Sequence, residues 1–276
     1  MNRFETIPKT RRCQAFITIN EPVSSGLIRL EIEVDQEMDF LPGQFAMLNL
    51  MGPRKRTFGR PFSILACSGN RVEFLYRVVG GGTGDLAGLK PGHPLTMLGP
   101  LGTPFPAPVP GQPAVLLAGG VGLPPVLAWW HRFSRTDDRA FFGARDPGDL
   151  PWDLLPVSWD ASVDAQGETP VGRVAWQGLV TELAERELTG MDLPPSMVLA
   201  CGPIPLLEAA GRFAEGRGWD CFVSMEEHMG CGYGACKGCV IPIRSDGQPE
   251  AEGRNATCCQ EGPIFRAEEI LWKQIR

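Results

Sequence analysis

Short runs in which apolar residues alternate with polar ones fill the chain up to about residue 110. Proline and glycine separate these runs, and none of them repeats apolar residues at the spacing of a helix. The runs are QAFITINEPV, LIRLEIEV, FAMLNLM, PFSILAC, RVEFLYRVV and PLTMLG. Several short strands at close spacing are typical of a small antiparallel barrel, so we predict a β-barrel domain over residues 1–110.

The pattern changes after residue 110, where continuous apolar runs alternate with segments of helical spacing. AVLLAGGVG predicts a buried strand that ends in glycines, and LPPVLAWWHRF after it has helical spacing with prolines in its first turn. The alternation continues through RAFFGAR, GLVTELAEREL, SMVLACGP and IPLLEAAGRFAEGRG. Strands that alternate with helices indicate a parallel sheet, and we predict an α/β domain over residues 111–220.

Residues 221–276 form a third region, which is rich in cysteine and glycine and has little apolar periodicity before its last segment, IFRAEEILWKQI. We predict a small C-terminal module here, held together by something other than an apolar core. The whole chain is thus predicted to be a multidomain α+β protein with an antiparallel barrel, a parallel-sheet domain and this module.

The chain has 276 residues and a formal net charge of −6, with no basic block of the kind that binds nucleic acid. No segment approaches the apolar length of a membrane-spanning helix, and the first residues, MNRFETIPKTRR, lack the apolar stretch of a secretory signal. Its nine cysteines are an odd number, which disfavours a disulfide framework. We therefore expect a cytoplasmic protein with no membrane or nucleic-acid partner.

Three cysteines lie close together in the segment CGYGACKGC of the third region. Their spacing, Cys231-x4-Cys236-x2-Cys239, is that of plant-type [2Fe–2S] sites, and either Cys258 or Cys259 supplies the fourth thiolate. Small residues between the ligands let backbone N–H groups approach the sulfurs. Zinc, which usually takes pairs of cysteines two residues apart, is the alternative metal.

A second candidate site lies where predicted strands of the α/β domain end in glycine. Gly120 and Gly122 stand in a strand-to-helix turn, whose free N–H groups and helix dipole suit a pyrophosphate. The turn is not the G-x-G-x-x-G fingerprint, because proline replaces the third glycine, and a plain turn explains it equally well. Cys201 and Gly202 end another strand at the sheet edge where ligands bind, although a buried cysteine before a turn is the simpler explanation.

Two segments of the predicted barrel carry candidate ligand-binding groups. Arg60-Pro61-Phe62-Ser63 begins a strand and offers a cation, a ring and a hydroxyl. Leu75-Tyr76-Arg77 precedes a glycine run that ends in Gly82-Thr83. Arg77 and this run together suit a phosphate. Surface arginines and a glycine-rich turn are the alternatives.

Taken in order, R-P-x-S, Y-R, G-T, G-x-G-x-x-P and C-G-P resemble the motifs of the ferredoxin–NADP reductase superfamily. Its members pair a flavin-binding barrel with a nicotinamide-binding α/β domain. With C-G-x-G-A-C-x-x-C and C-x-x-G-P-I-F added, the chain is similar to the electron-transfer subunits of NAD-dependent, B-type dihydroorotate dehydrogenases. The resemblance spans nearly all residues after the first ten, and the cysteine motif is its most specific part.

The resemblance implies sites for three cofactors. For FAD it implies contacts from Arg60, Pro61, Phe62, Ser63, Leu75, Tyr76, Arg77, Gly82 and Thr83, with an aromatic ring over the flavin and Ser63 near its N5. NAD is expected at Gly120, Gly122, Cys201 and Gly202. In the family the fourth cluster ligand directly precedes x-x-G-P-[VI]-F, so the implied [2Fe–2S] ligands are Cys231, Cys236, Cys239 and Cys259.

One position departs from the superfamily's pattern, and a second place leaves the choice between NAD and NADP open. Phe62 stands where many relatives have a tyrosine, so its stacking lacks a hydroxyl. Arg145 and Asp146 follow the second predicted sheet strand, where the arginine would welcome the 2′-phosphate of NADP and the aspartate would repel it. The family's precedent favours NAD.

The implied function is an electron relay between nicotinamide and a partner subunit. Nicotinamide gives up two electrons as a hydride and a [2Fe–2S] cluster normally moves one, so FAD must stand between them. In the resembled family the partner carries FMN and oxidises dihydroorotate to orotate in pyrimidine biosynthesis, and a heterotetramer with it is expected. No catalytic acid or base is needed in this chain. Two alternatives stay open: a ferredoxin or hydrogenase-type partner, and a zinc-stabilised redox-sensing module that catalyses nothing.

Overall fold

The computed structural model describes residues 7–51, 58–164, 174–191, 193–194, 196–245 and 253–275. Six antiparallel strands close into a barrel in the order β1-β2-β5-β4-β3-β6. They are β1 (Arg11–Pro22), β2 (Ile28–Val34), β3 (Phe45–Leu50), β4 (Arg60–Ser68), β5 (Arg71–Tyr76) and β6 (Pro94–Leu101). Alternate side chains pack in the barrel interior, among them Ile17, Ile32, Leu48, Phe74 and Met97. The barrel predicted from the alternating runs is confirmed.

A short helix, α1 (Gly81–Ala87), lies between β5 and β6 where the sequence predicted a glycine-rich turn. The hydroxyl of Thr83 shapes the turn into this helix: it accepts the N–H groups of Val79 at 2.9 Å and Gly80 at 3.2 Å and donates to the Gly80 carbonyl at 3.1 Å. Glycines dominate the helix, and only Thr83 and Leu86 are buried. The apolar spacing that signals a helix is therefore nearly absent from the sequence.

The second domain is built on parallel strands that lie in the order β10-β9-β8-β7-β11-β12. Their bounds are β7 (Ala114–Gly119), β8 (Arg139–Ala144), β9 (Asp160–Val163), β10 (Val174–Gln177), β11 (Met197–Cys201) and β12 (Asp220–Ser224). The crossover helices are α2 (Leu123–Phe133), α3 (Val180–Leu188) and α4 (Ile204–Glu215). Within the described ranges, no helix is both long enough and apolar enough to cross a membrane.

Helices cover both faces of this sheet. On one face α2 places Val126 in the same core as Leu116 of β7. On the other face α3 and α4 place Leu183 and Leu207 in the same core as Leu117. Strands β7 and β11 are buried along their whole length, which is why they are continuous apolar runs in the sequence.

The third region contributes β13 (Val240–Ile243), β14 (Arg254–Thr257) and β15 (Ile264–Arg266). β13 and β14 form an antiparallel pair, whereas β15 joins the large sheet as an antiparallel neighbour of β12. The predicted boundary after residue 220 falls inside β12, which belongs to the sheet. By strand pairing, the third unit therefore begins after Ser224.

The third unit packs on the barrel as well as on the sheet. Thr103, just after β6, donates its N–H to the Gly262 carbonyl at 2.7 Å and its hydroxyl to the Ile264 carbonyl at 3.3 Å. Phe45 and Met47 of β3 lie in the same apolar core as the side chains of β13. This unit thus has an apolar core, contrary to the expectation, because neighbouring domains supply part of it.

Substitution of Gly102, which follows β6, tests the packing of the third unit against the barrel. Its φ is +77°, and a Cβ there would lie 2.5 Å from Pro263 Cδ and 2.8 Å from Phe45 Cε1. We expect Gly102→Ala to lower the free energy of unfolding by about 2–4 kcal/mol, since overpacking adds to backbone strain. Gly92→Ala is the matched control, because φ is +86° with nothing within 4 Å of a Cβ. The control should cost only ~1–2 kcal/mol, and urea unfolding that shows equal losses would contradict this packing.

Candidate functional site

Two turns touch each other at the carboxyl edge of the parallel sheet. Gly120–Gly122 form one 3-10 turn between β7 and α2, and Gly202 follows the neighbouring strand β11. A Cβ on Gly122 would lie 2.4 Å from the Cys201 carbonyl oxygen and 2.6 Å from the Gly202 nitrogen, so only glycine fits. The first turn of α2 offers few donors, because Leu123 donates its N–H to the Gly120 carbonyl and the two prolines after it have none. An anion at this edge would therefore bind to the N–H groups of the glycine turn itself. The structure thus brings together the four predicted nicotinamide-site residues.

Arg77 connects the barrel to this edge. A Cβ on Gly120 would lie 3.8 Å from Arg77 Nη2. The guanidinium donates from Nε to the Gly26 carbonyl at 3.2 Å and pairs with the Asp149 carboxylate at 3.8 Å. Asp149 follows β8, so contacts from both domains hold the arginine. A half-exposed cation beside the glycine turn suits a pyrophosphate.

Strand pairing decides which residues of the Arg60–Ser63 motif face outwards. On β3 and β4, Met47 pairs with Pro61 and Phe45 pairs with Ser63. Directly opposed residues of an antiparallel pair project on the same side of the sheet. Phe45 and Met47 lie in the core outside the barrel, so Pro61 and Ser63 also face the outside, where both are half-buried.

The aromatic rings of the predicted FAD site face the barrel interior instead. Phe62 is 9% exposed and packs edge-on against Tyr76, with ring centroids 5.7 Å apart. The Tyr76 hydroxyl donates to Asn20 Oδ1 at 2.9 Å, and burial raises the pKa of Tyr76 to about 12. Leu75 is buried in the core beneath α2. All three side chains are buried and support the predicted FAD site from beneath. The structure therefore does not show the expected aromatic ring over the flavin.

Arg60 and α1 meet on the other side of the motif. A Cβ on Gly82 would lie 2.6 Å from Arg60 Nε, so the guanidinium rests against the helix backbone. The Thr83 hydroxyl uses its one donor and both acceptor positions on the backbone around Gly80. The Thr83 hydroxyl is therefore not free for a phosphate contact, and the groups available there are Arg60 and the backbone at the start of α1.

Backbone N–H groups point at the sulfurs of the cysteine loop. Gly234 donates to Cys259 Sγ at 3.1 Å, Cys236 to Cys231 Sγ at 3.4 Å, and Cys259 to Cys239 Sγ at 3.4 Å. Burial alone would raise the pKa of Cys231, but the N–H groups of Cys236 and its neighbours outweigh it and lower that pKa to about 6. Such hydrogen bonds stabilise the thiolates that iron–sulfur clusters require.

The structure separates the two adjacent cysteines that spacing left open. Cys259 exchanges contacts with Gly234 and Cys239, so its sulfur lies among those of the other candidate ligands. Cys258 is 0% exposed, and its thiol donates to the Met225 carbonyl at 3.3 Å. Burial raises the pKa of both thiols, so only the hydrogen bonds distinguish them. This geometry agrees with Cys259 as the fourth ligand.

The arrangement of the cysteine loop is compatible with a two-iron cluster. A [2Fe–2S] cluster spreads four thiolates around two irons, whereas tetrahedral zinc needs four ligands around one atom. The N–H groups directed at the sulfurs fit the thiolates of such a cluster.

Comparison with known proteins decides the family. Residues 226–271 match the model of the iron–sulfur cluster binding domain of dihydroorotate dehydrogenase B. The dihydroorotate dehydrogenase B (NAD(+)) electron transfer subunit of Desulforamulus reducens is 31% identical over 237 residues, which are 84% of this chain and 87% of that protein. This chain belongs to that family. The subunit of the same name from Bacillus velezensis is 33% identical over 242 residues, 83% of this chain and 86% of its own.

As an electron transfer subunit, the protein is part of an oxidoreductase and holds an iron–sulfur cluster, as the sequence predicted. FAD and NAD as the other two cofactors agree with this membership. A NADH-dependent reduced ferredoxin–NADP oxidoreductase structure superimposes with a TM-score of 0.75 at 21% identity, over 94% of this chain and 90% of that one. A ferredoxin–NADP+ reductase from Neisseria gonorrhoeae gives 0.61 at 17% identity, over 75% and 92%. These neighbours confirm the predicted fold class.

The sequence analysis of this electron transfer subunit missed Glu226. It follows β12 at the same sheet edge, two residues beyond Ser224, which pairs with Cys201. Glu226 is exposed, although desolvation by the neighbouring protein raises the pKa of its carboxyl. Cys201 itself is 1% exposed, and burial raises its pKa, so it packs beneath the site as a neutral thiol. The sequence signal that could have identified Glu226 is its position two residues after a buried strand, where the ligand-binding edge of a parallel sheet lies.

Paired serine variants test the ligand assignment. We expect Cys259→Ser to lose the cluster's visible absorption and most of its iron, because one of four thiolates is removed. Cys258→Ser should retain both, since its side chain only donates to the Met225 carbonyl. Iron content per chain and the visible spectrum of the two purified variants measure the difference. Retention of the cluster in Cys259→Ser with loss in Cys258→Ser would reverse the assignment.

Proposed function

We propose that this subunit carries electrons between NAD(H) and the FMN of a dihydroorotate-oxidising catalytic subunit, through its own FAD and [2Fe–2S] cluster. One observation supports this most: the barrel touches both other sites. Arg77, after β5, reaches Gly120 at the sheet edge, and Met47 of β3 contacts Gly232 in the cysteine loop. When bound between them, a flavin exchanges a hydride with nicotinamide and single electrons with the cluster.

The barrel residues divide the binding of FAD between them. Arg60, which rests against the Gly82 backbone, and Arg77, which lies beside Gly120 at the sheet edge, supply positive groups for the pyrophosphate. Ser63 presents a hydroxyl on the outer face beside Pro61, where the flavin ring would lie. Phe62 and Tyr76 support this face from inside the barrel, Leu75 supports it from the core beneath α2, and Thr83 holds the start of α1.

The carboxyl edge of the sheet binds the dinucleotide. N–H groups at Gly120 and Gly122 receive its phosphates at the start of α2, and the Gly202 backbone closes the other side. Glu226 offers an accessible carboxylate at this edge, beside the buried Cys201, to orient the nicotinamide. None of these groups has to take up a proton from the substrate, so their contribution is to position the reacting rings.

Charges at the ends of β8 and β9 favour NAD over NADP. The last residues of these strands pair, Ala144 with Val163, so Arg145 and Asp164 follow side by side. Asp146 lies next to the arginine. A 2′-phosphate at this place would meet two carboxylates and one guanidinium, whereas the 2′-hydroxyl of NAD can donate to a carboxylate.

Electrons leave through the exposed side of the cysteine loop. Cys236 is exposed, and Tyr233 and Phe58 beside it are 58% and 57% exposed. A Cβ on Gly230 would lie 3.8 Å from the Phe58 ring, so this ring belongs to the same surface. Exposed aromatic side chains next to a functional group mark an interaction site. The FMN-containing catalytic subunit docks here, in a heterotetramer, and the names of the relatives favour it over a ferredoxin or hydrogenase-type partner.

The cytoplasm is the proposed location. All nine cysteines are free thiols in the structure. Free thiols and an iron–sulfur site are typical of a reducing compartment, since oxidising compartments convert neighbouring thiols to disulfides.

Anaerobic titration of the purified subunit with NADH tests the relay. We expect the flavin band and the broader cluster absorption to bleach together, and NADPH to reduce the protein far more slowly. Cys236→Ser should keep the flavin bleaching and lose the cluster signal, because one thiolate is missing. Flavin bleaching without cluster bleaching in iron-loaded wild-type protein would contradict the relay. A colourless protein that contains zinc would contradict the whole assignment.

A charge introduced by mutation on the docking surface tests where the catalytic subunit binds. We expect Tyr233→Glu to weaken binding of the FMN-containing catalytic subunit about thirtyfold or more, a cost of ~2 kcal/mol that is typical of a central interface tyrosine. Val157→Glu is the control, because Val157 is 90% exposed in the loop before β9. Calorimetric titration measures both, with the visible spectrum as a check on the cluster. Equal affinities for the two variants would place the partner elsewhere.

A further inference from the structure

The backbone of the cysteine loop lies directly against one side chain of the barrel. Gly232 is buried with a φ of +81°, and a Cβ there would lie 2.4 Å from Met47 Cγ and 2.9 Å from Met47 Sδ. Nothing larger than a hydrogen atom fits between them. Because Gly232 directly follows Cys231, this contact lies next to a cluster ligand.

Met47 also belongs to the face that carries the proposed flavin contacts. It is 2% exposed and pairs with Pro61, so both side chains project outwards from the barrel. It shares an apolar core with Cys239 and Cys259, whereas its neighbour Leu48 faces the barrel interior. Met47 therefore lies between the strand that carries the flavin motif and the loop that carries the cluster ligands.

We propose that Met47 is a positioning residue for electron transfer: it sets the separation of flavin and cluster and fills the space between them. This inference rests on the proposed relay. Electron transfer through protein slows steeply with distance and with gaps in packing, so a side chain that projects from the proposed flavin-binding face and touches the cysteine loop affects the rate. A long, polarizable thioether fills an irregular gap closely. Glycine at position 232 complements it, because a side chain there would push the loop away.

Three variants isolate this role. Met47→Ala opens a gap beside Gly232, whereas Met47→Leu conserves the volume and the contact. Met97→Ala is the matched control, since Met97 is 0% exposed on the neighbouring strand β6 but faces the barrel interior. Met47→Ala and Met97→Ala thus remove the same atoms from equally buried places, and only the first removes the contact with the cysteine loop.

The flavin-to-cluster step is measured by itself when a deazaflavin sensitiser and a light flash reduce the FAD, because no hydride transfer is then involved. We expect Met47→Ala to slow the following cluster bleaching by roughly tenfold or more, as misplacements of about 1 Å do in other reactions that depend on positioning. Met47→Leu and Met97→Ala should keep the wild-type rate. A second readout needs no electron transfer: iron should pass to a chelator faster from Met47→Ala than from Met97→Ala, because the loop has lost its support.

An iron-loaded Met47→Ala variant that bleaches at the wild-type rate would overturn the proposal, as would an equal slowing in Met97→Ala. If Met47→Ala does not retain iron, Met47→Val replaces it, because valine opens a smaller gap. The cluster of Met47→Val should bleach more slowly after the flash than that of Met47→Leu. Wild-type protein whose cluster is not reduced by NADH refutes the relay itself. That result differs from one in which NADH reduces the wild-type cluster but substitution of Met47 leaves the rate of cluster bleaching unchanged.

Discussion

The contact between Met47 and the backbone of the cysteine loop joins the barrel face that carries the proposed flavin site to the loop that carries the proposed cluster ligands. Met47 is on β3, which pairs with the strand that begins at Arg60, so the flavin motif and this contact share one rigid pair of strands. The loop on the other side carries the cluster ligands, and the Thr103–Gly262 hydrogen bond holds its unit to the barrel. A movement of any of these segments would change the separation across which electrons must pass.

The pleat of the same strands gives neighbouring residues opposite tasks. Pro61 and Ser63 face the outer side of the barrel, while Phe62 between them packs on Tyr76 in the interior. One short motif thus provides both the surface for a ligand and the support behind it. Helix α1 combines the same two tasks. The hydroxyl of Thr83 holds the start of the helix from within, while Arg60 lies against the helix backbone.

At the sheet edge, the proposed nicotinamide site needs no acid or base from the protein. Cys201 is a buried neutral thiol below the turn, and the contact of Gly122 with its carbonyl holds two strand ends together. The accessible carboxylate of Glu226 lies in surroundings that raise its pKa. Such a site suits hydride exchange between two bound rings, in which geometry decides the rate and the protein donates no proton.

The sequence by itself determined the features that depend on local pattern. Alternating and continuous apolar runs specified the barrel strands and the buried parallel strands, and the spacing from Cys231 to Cys239 indicated the cluster, because three of its four predicted ligands come from one short loop. The tertiary structure alone decided features that depend on distant segments. Pairing with β3 turned Phe62 inwards, and a hydrogen bond to the Met225 carbonyl engages the Cys258 thiol. The roles of Glu226 and Met47 follow from the same cause, since a single chain does not show which of its faces another segment will cover.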